Sequence, residues 1–297
     1  MKPLKILVLF LVPICFCGCI REDDRGCRRE ADVLLKFEYP NFSQAITRVN
    51  VGVFDANGLF VTSRQVDQEQ LAELQGVALR SLKPGNYQVV CWGNAFDSTL
   101  IEGFSSGMTS GDGQVSNPNY GTDIPITTND PLYYGKTQLQ VKANDNITTV
   151  VHFTPAYIRF IVSVTGLTNL EQLPPANYPV VGIHNLKAAY NFDMEPIGPY
   201  VSYYPAVSVN AAAQTVTAKC NVLRFDDQSP IAVDISERPS GKILATLDLQ
   251  QYLADNSIEI RPGAEVTLLL LFAFSGQSVD VSVVMDKWGN VPLDPDL

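Results

Sequence analysis

The chain has 297 residues, 46% of them hydrophobic, and a formal net charge of −10 at neutral pH. A chain this acidic repels the phosphate backbone of nucleic acids, which argues against DNA or RNA as a partner. The length exceeds that of one small domain and suits two domains of ordinary size.

The N-terminus has the three parts of a secretory signal. Two lysines precede an apolar run at residues 6–16, and Gly18 is a small residue directly before Cys19. The apolar run is too short to span a membrane, which needs about 20 residues. We therefore predict that residues 1–18 are a signal peptide and that mature protein begins at Cys19.

Cys19 is also the candidate site of lipid attachment. Residues 16–19 resemble a bacterial lipobox, in which the cysteine after the cut takes acyl chains, although Phe16 stands where leucine is usual. Loss of the signal removes two lysines and no acidic residue, so the mature charge is −12. Without a basic face, membrane contact would depend on the acyl chains, at about 0.8 kcal/mol per buried CH₂. We expect a covalent lipid on Cys19, no other cofactor, and a polar leash at residues 19–30; an ordinary cleaved signal without lipid is the alternative.

Three further cysteines remain in the mature part, Cys27, Cys91 and Cys220. An odd number cannot all pair within one chain. The compartment beyond the inner membrane permits disulfides, so a bond between Cys27 and Cys91, both in the first half, is one expectation. Three buried free thiols are the alternative.

Apolar and polar residues alternate along most of the chain, which predicts β-strands with one buried face. Residues 49–53 and 59–61 flank a break at 55–58 and predict a hairpin. Residues 77–82 and 87–92 flank Lys-Pro-Gly-Asn and predict a second hairpin, since proline followed by glycine favours a tight turn.

Three other segments depart from simple alternation. Residues 68–75 predict one or two helical turns with Leu71 and Leu74 facing inward. Residues 94–131 are rich in Gly, Ser, Asn, Thr and Asp, which predicts a long surface excursion. Residues 265–274 are apolar on both faces, which predicts a central strand covered on both sides.

No segment keeps a helical period over three turns, so the predicted fold is all-β, with two antiparallel β-sandwich domains in series. We place the N-terminal domain at residues 31–148 and the C-terminal domain at residues 149–297.

Motifs for catalysis or metal binding are scarce. Residues 103–107 match G-x-S-x-G, but they lie in a glycine-rich loop with no helix predicted after them, and the nucleophile elbow needs that helix. His152 and His184 are isolated and flanked by strand-like sequence, which is typical of structural histidines. We predict no catalytic residue, no metal site and no small-molecule substrate.

Several segments, in order, resemble the FimB/Mfa2 family of fimbrial anchor lipoproteins of Bacteroidales. They are the mature start at Cys19, VNVGVFDANG at 49–58, LKPGNYQVVCWGN at 82–94, YIRFIVSVTGL at 157–167, and a valine-rich strand before Trp288. The resemblance implies two transthyretin-like sandwiches. It also implies a surface-exposed outer-membrane lipoprotein that anchors a fimbrial (pilus) shaft and helps to set its assembly and length.

The resemblance implies a partner, a fimbrial shaft subunit, and the expected mechanism is strand pairing at an open sheet edge. Val279, Val281 and Val283, with Trp288, are the candidate partner strand; an ordinary core strand is the alternative, which we favour. Two other functions stay open. One is a surface carbohydrate-binding lipoprotein that presents aromatic rings, and the other is a minor or tip pilin of the same fold, released by cleavage at residues 28–29.

Overall fold

The structure is a computed structural model that describes residues 31–143, 146–167, 170–275 and 278–285. The predicted signal peptide, the leash, Cys19, Cys27 and Trp288 lie outside the described residues. The described helices are α1 (Phe42–Ala45), α2 (Gln68–Glu73) and α3 (Leu249–Asp255), with 3-10 turns at Ser110–Asp112, Leu170–Gln172 and Pro175–Asn177. None of these helices is long and apolar enough to cross a membrane.

Twenty strands lie within the described residues. They are β1 (Ala31–Glu38), β2 (Val49–Asp55), β3 (Phe60–Val66), β4 (Gly76–Leu82), β5 (Gly85–Gly93), β6 (Leu100–Glu102), β7 (Gln114–Ser116), β8 (Tyr133–Val141), β9 (Asn146–Pro155), β10 (Tyr157–Thr165), β11 (Val180–Leu186), β12 (Ala189–Asn191), β13 (Pro196–Ile197), β14 (Val201–Tyr203), β15 (Val207–Asn210), β16 (Thr215–Leu223), β17 (Ala232–Ser236), β18 (Ile243–Asp248), β19 (Thr267–Ser275) and β20 (Ser278–Met285).

The first half of the chain forms a β-sandwich from one bent sheet. Its strands lie in the order β3-β2-β5-β8-β9-β1-β4. β8 and β9 pair only over residues 133–135 and 153–155, and elsewhere they separate. Inward side chains from both arms, including Val33, Val51 and Val89, share one core. The two arms are therefore stacked as layers around that core.

The second half forms a sandwich from two sheets. One has the order β15-β16-β10-β19-β20 and the other β14-β11-β17-β18. Phe160 and Leu270 from the first sheet and Val233 from the second lie in one core. The alternation of the sequence is visible here directly, because every second residue is fully buried from Ile158 to Val164 in β10 and from Leu268 to Phe272 in β19.

The two halves repeat one strand order, which confirms the predicted all-β class with two sandwiches in series. The set β4-β1-β9 corresponds to β16-β10-β19, and β3-β2-β5-β8 corresponds to β14-β11-β17-β18. In each half the first strand pairs in parallel with a late one, with Asp32 opposite Asn146 and Arg159 opposite Thr267. Alternation in the sequence could not show that these two pairs are parallel, because side chains alternate with period two in parallel and antiparallel strands alike.

The limits of the two domains stay a prediction. The proposed boundary between residues 148 and 149 falls inside β9, which pairs with β1 and β8 in the first sheet. The strands of the second half begin at Tyr157.

Residues 94–131 are folded into the structure and are more than a surface excursion. β6 and β7 from this segment form a small sheet with β12 and β13 from the second half, in the order β13-β12-β7-β6. This sheet covers the outer face of β2 and β5, where Phe54 and Trp92 are fully buried against Phe192 and Tyr190. The small sheet therefore joins the two sandwiches through an apolar layer.

The ends of the same segment are fixed by polar side chains. Both carboxylate oxygens of Asp130 accept hydrogen bonds from backbone N–H groups of residues 96–98, at 3.0–3.1 Å. Asn94 donates to the carbonyls of Ala45 and Pro131 at 2.8 and 3.1 Å. Some of the polar residues in this segment therefore hold its two ends together, because the side chains of Asp and Asn can hydrogen-bond to backbone groups.

Three details of the sequence interpretation were wrong. β4 and β5 do not form a hairpin: β4 pairs with β1 and β5 with β2 and β8, so the turn between them joins the two layers. Helix α2 buries Leu71, but Leu74 is 41% exposed because the helix ends at Glu73. β19 is central, but only one of its faces is covered fully, since Leu271 is 36% exposed.

Candidate partner-binding edges

β20 lies at one end of the five-stranded sheet, and no described strand pairs with its outer edge. Val283 is buried in the core of the second half, and Val279 and Val281 pack against that core. The structure therefore places the three candidate valines as core residues, the alternative favoured from sequence. What β20 offers to a partner is its outward backbone together with the exposed side chain of Val284.

One hydrogen-bonding position on the β20 edge is already taken. The backbone N–H of Val283 donates to the hydroxyl of Tyr252, from α3, at 3.1 Å. Because this N–H donates to Tyr252, it points away from β19, and Val283 and Leu270 form a non-hydrogen-bonded pair of the ladder. In an antiparallel pair this direction alternates, which places the N–H groups of Val279 and Val281 on the same open edge.

A second open edge follows from the duplication. β20 lies beside β19, whose counterpart in the first half is β9. The corresponding side of β9 pairs with β8 only over residues 153–155, and no described strand occupies the rest of it. The first sandwich thus has room for one extended strand where the second already has β20.

A cluster of tyrosines connects the two sandwiches through hydrogen bonds. Tyr39 and Tyr133 both donate hydrogen bonds to Oε1 of Glu265, at 2.9 and 2.6 Å. Burial raises the pKa of both phenols, and Glu265 adds to the effect, so the hydroxyls stay protonated donors. This contact connects β8 with the turn before β19.

The other residues singled out by sequence have structural positions. Cys91 is fully buried in the core of the first half, and burial raises the pKa of its thiol. The disulfide with Cys27 stays a prediction, since Cys27 lies outside the described residues. A disulfide there would require residue 27 to enter that core.

The two histidines each lie beside a carboxylate. Nδ1 of His152 is 3.4 Å from Glu38 at an exposed site. Nε2 of His184 is 3.2 Å from Asp234 and its Nδ1 is 2.8 Å from Oγ of Ser202, across neighbouring strands of one sheet. This serine, histidine and aspartate lie on neighbouring strands of one sheet, and none of the three lines the cleft beside Asn185 and Leu186.

The G-x-S-x-G match is a loop. It follows the short strand β6, Gly103 and Gly107 have positive φ angles, and no α-helix begins in the described residues that follow before β8. Phe104 packs into the apolar layer under the small sheet. Among the described residues, no three His, Cys, Asp or Glu side chains converge in a way that could hold a metal ion.

Most aromatic rings considered for a sugar-stacking platform are buried. Trp92, Tyr133 and Tyr203 are each at most 2% exposed. Tyr204 and Tyr200 are more open, at 40% and 58% exposed.

Sequence reasoning missed Tyr252 and Glu265. Asp248 before Leu249, with Tyr252 and Leu253 three and four positions after Leu249, is a signal for the short helix α3, whose N-cap Asp248 accepts from Gln251. No signal in the sequence pairs Glu265 with tyrosines more than 130 residues away.

The described residues thus form a duplicated β-sandwich with open sheet edges and an apolar small sheet that joins its halves. The chain belongs to the family described as "Fimbrillin-A associated anchor proteins Mfa1 and Mfa2", whose profile matches residues 23–292. This family consists of fimbrial anchor proteins and is not an enzyme class. The resemblance stated from sequence is confirmed, and with it an association with fimbriae.

Individual relatives are distant. The chain is 22% identical over 219 residues to the minor fimbrium anchoring subunit Mfa2 of Porphyromonas gingivalis, an alignment that covers 71% of this chain and 66% of that protein. In the solved structure of the fimbrial anchor protein Mfa2 from the same species, the fold matches with a TM-score of 0.63 at 19% identity, covering 87% of this chain and 98% of that one.

Two further solved structures share the fold. A Bacteroides thetaiotaomicron protein described as a candidate for polysaccharide binding matches with a TM-score of 0.69 at 18% identity, covering 88% of this chain and 96% of that one. A Bacteroides ovatus protein described as a candidate adhesin matches with a TM-score of 0.66 at 19% identity, covering 88% and 95%. At these identities the likeness shows the fold alone.

Proposed function

We propose that this protein ties a fimbrial shaft to the outer membrane, with a lipid on Cys19 at one end and strand pairing with a fimbrial subunit at the other. In this role it would also limit the assembly and length of the shaft. The observation that carries the proposal is the open edge of β20, in a chain that belongs to a family of fimbrial anchors.

The edge suits strand addition for a physical reason. Unpaired N–H and C=O groups along a strand are satisfied when another chain adds an extended segment, and alternate side-chain contacts then give specificity. The inward valines of β20 hold the strand on its core, so that its outer backbone is presented in a fixed, extended form. Binding of this kind needs no cofactor beyond the covalent lipid.

The proposed lipid attachment at Cys19 is supported by the sequence of the N-terminus. A charged start, an apolar run and a small residue before Cys19 precede a polar segment that would separate the folded part from the membrane. More than one acyl chain gives stable attachment, whereas a single chain gives only reversible binding. The proposed location is therefore the cell surface, with the folded domains outside the outer membrane.

The edge is tested with a proline at one outward N–H. Val281→Pro removes an edge donor and keeps an apolar inward side chain, and Val281→Ala is the matched control that keeps the donor. We expect cells with Val281→Pro to release fimbriae into the medium and cells with Val281→Ala to retain them. Retention of fimbriae by the proline variant, with the protein folded and present, would contradict pairing at β20 and direct attention to the open side of β9.

The lipid is tested with Cys19→Ala. Mass spectrometry of the N-terminus from outer-membrane fractions should show an acylated Cys19 in the wild type, and the variant should shed its fimbriae. If Cys19 is acylated in the wild type but cells with Cys19→Ala keep their fimbriae attached, the anchor proposal is contradicted. An N-terminus that begins after Arg28 or Arg29 would identify a processed pilin instead.

A further inference from the structure

A cleft of about 360 Å³ opens where four loops of the second half meet, and no residue of β20 lines it. This volume lies within the range of about 300–1,000 Å³ that ligand sites occupy. Its walls come from the ends of β11 and β16, the segment before β14 and the loop before β19. We call it the Tyr200 cleft, and it is distinct from the open edges of β20 and β9.

The floor of the Tyr200 cleft is apolar and is fixed before any ligand enters. Leu186 and Tyr190 are at most 1% exposed, and Ile260 and Phe225 pack into the same region. The hydroxyl of Tyr190 donates to the carbonyl of Ala156 at 3.0 Å and accepts from a backbone N–H at 2.8 Å. Because these side chains are already fixed, little free energy is lost in ordering them when a ligand binds.

A half-buried cation stands in the wall. The guanidinium of Arg224 donates to the backbone carbonyls of Ala264, at 2.7 Å, and of Arg261. No carboxylate among the described residues forms an ion pair with it. Partial burial lowers the pKa of Arg224, because partial removal from water costs the charged form free energy. A ligand carboxylate placed against the guanidinium would relieve that cost.

A second cation and an exposed aromatic ring stand at the rim. The ammonium of Lys187 lies 4.2 Å from the ring centre of Tyr200 and donates to the carbonyl of Gly198. Tyr200 is 58% exposed. The ammonium lies against one face of the ring, and the exposed part of the ring can stack against an apolar surface of a ligand.

The rim also presents hydrogen-bond acceptors. Oδ1 of Asp226 accepts from Gln228 N–H and from the hydroxyl of Ser229, which leaves Oδ2 without a donor among the described residues. Asn185 uses its amide N–H on the carbonyl of Pro230 at 2.8 Å, and its own carbonyl oxygen has no described donor. Acceptors beside cations suit a ligand that carries both hydroxyl groups and an acid.

We propose that the Tyr200 cleft binds an acidic saccharide, with the sugar carboxylate at Arg224 and Lys187 and a face of the sugar ring stacked on Tyr200. Hydroxyl groups of the same sugar donate to Asn185 and Asp226. A peptide carboxylate is less well matched, because a peptide brings N–H groups in a row, and β13 (Pro196–Ile197), the end strand that lines the cleft, is two residues long and too short to pair with them. The binding is a property separate from fimbrial attachment and goes beyond it.

The test is calorimetric titration of the mature chain with tri-galacturonic acid and, in parallel, with its methyl ester. We expect saturable binding of the acid and binding of the ester weaker by about tenfold or more, since a tenfold change corresponds to 1.4 kcal/mol. Tyr200→Ala and Lys187→Met should each weaken binding of the acid by about tenfold, through loss of stacking and of a cation.

Tyr204→Ala is the matched control, because Tyr204 is also an exposed tyrosine but does not line the cleft. It should leave affinity unchanged. Arg224→Lys keeps the charge without the planar fork and should also weaken binding, with unfolding by denaturant confirming that the fold is intact.

Three results would overturn the proposal: no saturable binding of the acid at millimolar concentration, equal binding of acid and ester, or no loss in Tyr200→Ala. Stronger binding of a short peptide acid than of its amide, without sugar binding, would also overturn it and assign the cleft to a peptide. Cells with Tyr200→Ala should keep their fimbriae, so failure here leaves the anchor proposal untouched, and failure of the anchor leaves this one untouched.

Discussion

At the scale of single residues, burial decides which side chains can ionise. Cys220 lies in the core of the second half, where burial raises the pKa of its thiol from 9.0 to about 12. The phenols of Tyr190 and Tyr203 are also buried, and their pKa values are raised for the same reason. These groups remain protonated in the folded chain at a pH where an unfolded chain releases the protons.

The stability of the protein should therefore fall in alkali. The folded state binds more protons than the unfolded state between pH 9.0 and about 12 at Cys220, so the free energy of unfolding decreases as pH rises through that window. Each such group contributes a slope of up to about 1.4 kcal/mol per pH unit. Denaturant unfolding of Cys220→Ala at several pH values should give a shallower decline than the wild type, and parallel declines would contradict the burial of this thiol.

A glycine contact gives a second prediction at this scale. A Cβ built on Gly113 would lie 2.1 Å from the buried ring of Phe192, whereas one on Gly111 would have no neighbour closer than 3.5 Å. We expect Gly113→Ala to lower the free energy of unfolding by about 1–3 kcal/mol, as overpacking does, and Gly111→Ala to change it little. Equal effects of the two substitutions in denaturant unfolding would show that Phe192 can move aside.

At the scale of elements, α3 is attached to the edge strand by one hydrogen bond. Tyr252→Phe removes the hydroxyl that accepts from Val283 N–H and should lower the free energy of unfolding by about 1 kcal/mol. The change also frees one more donor on the β20 edge, so a strand that adds there should bind the variant at least as well as the wild type. Weaker attachment of fimbriae by a folded Tyr252→Phe protein would mean that the hydroxyl itself takes part in the contact.

The elements also show what sequence can and cannot predict. Alternation located β2, β5, β10 and β20, because a half-buried strand must alternate whatever its partner. It gave the wrong partner for β4 and no partner for the small sheet, since pairing depends on residues far apart in the chain. For the candidate sites, sequence named the valines of β20 as a possible partner strand with a core strand as the favoured alternative, and they do pack on the core, but their role with a partner stays a prediction. The cap by Tyr252 and the Tyr200 cleft arise only when distant loops meet.

At the scale of the whole molecule, the small sheet joins the two sandwiches. The fluorescence of Trp92, which is buried under this sheet, reports whether the sheet is in place. Asp130→Ala removes the acceptor for the N–H groups of residues 96–98 and should loosen the sheet that covers Trp92. In a Trp288→Phe background, we expect a red-shifted fluorescence of Trp92 at denaturant concentrations where far-ultraviolet circular dichroism still shows both sandwiches. If the Trp92 fluorescence and the circular dichroism of the Asp130→Ala variant change at the same denaturant concentration, as in the Trp288→Phe parent, the small sheet and the sandwiches unfold together.

The parallel pairing of β1 has a mechanical consequence for a protein tethered at its N-terminus. In the proposed lipid-anchored protein, tension from Cys19 would enter the described fold at Ala31, the first residue of β1, which is flanked by β9 on one side and β4 on the other. A pull along the axis of a strand strains its lateral hydrogen bonds in shear, so that many must break together, whereas a pull across the strands would open them one after another. If the proposed anchor is right, β1 would be the strand nearest to the lipid, and its two hydrogen-bonded neighbours would let it resist a steady drag on the shaft.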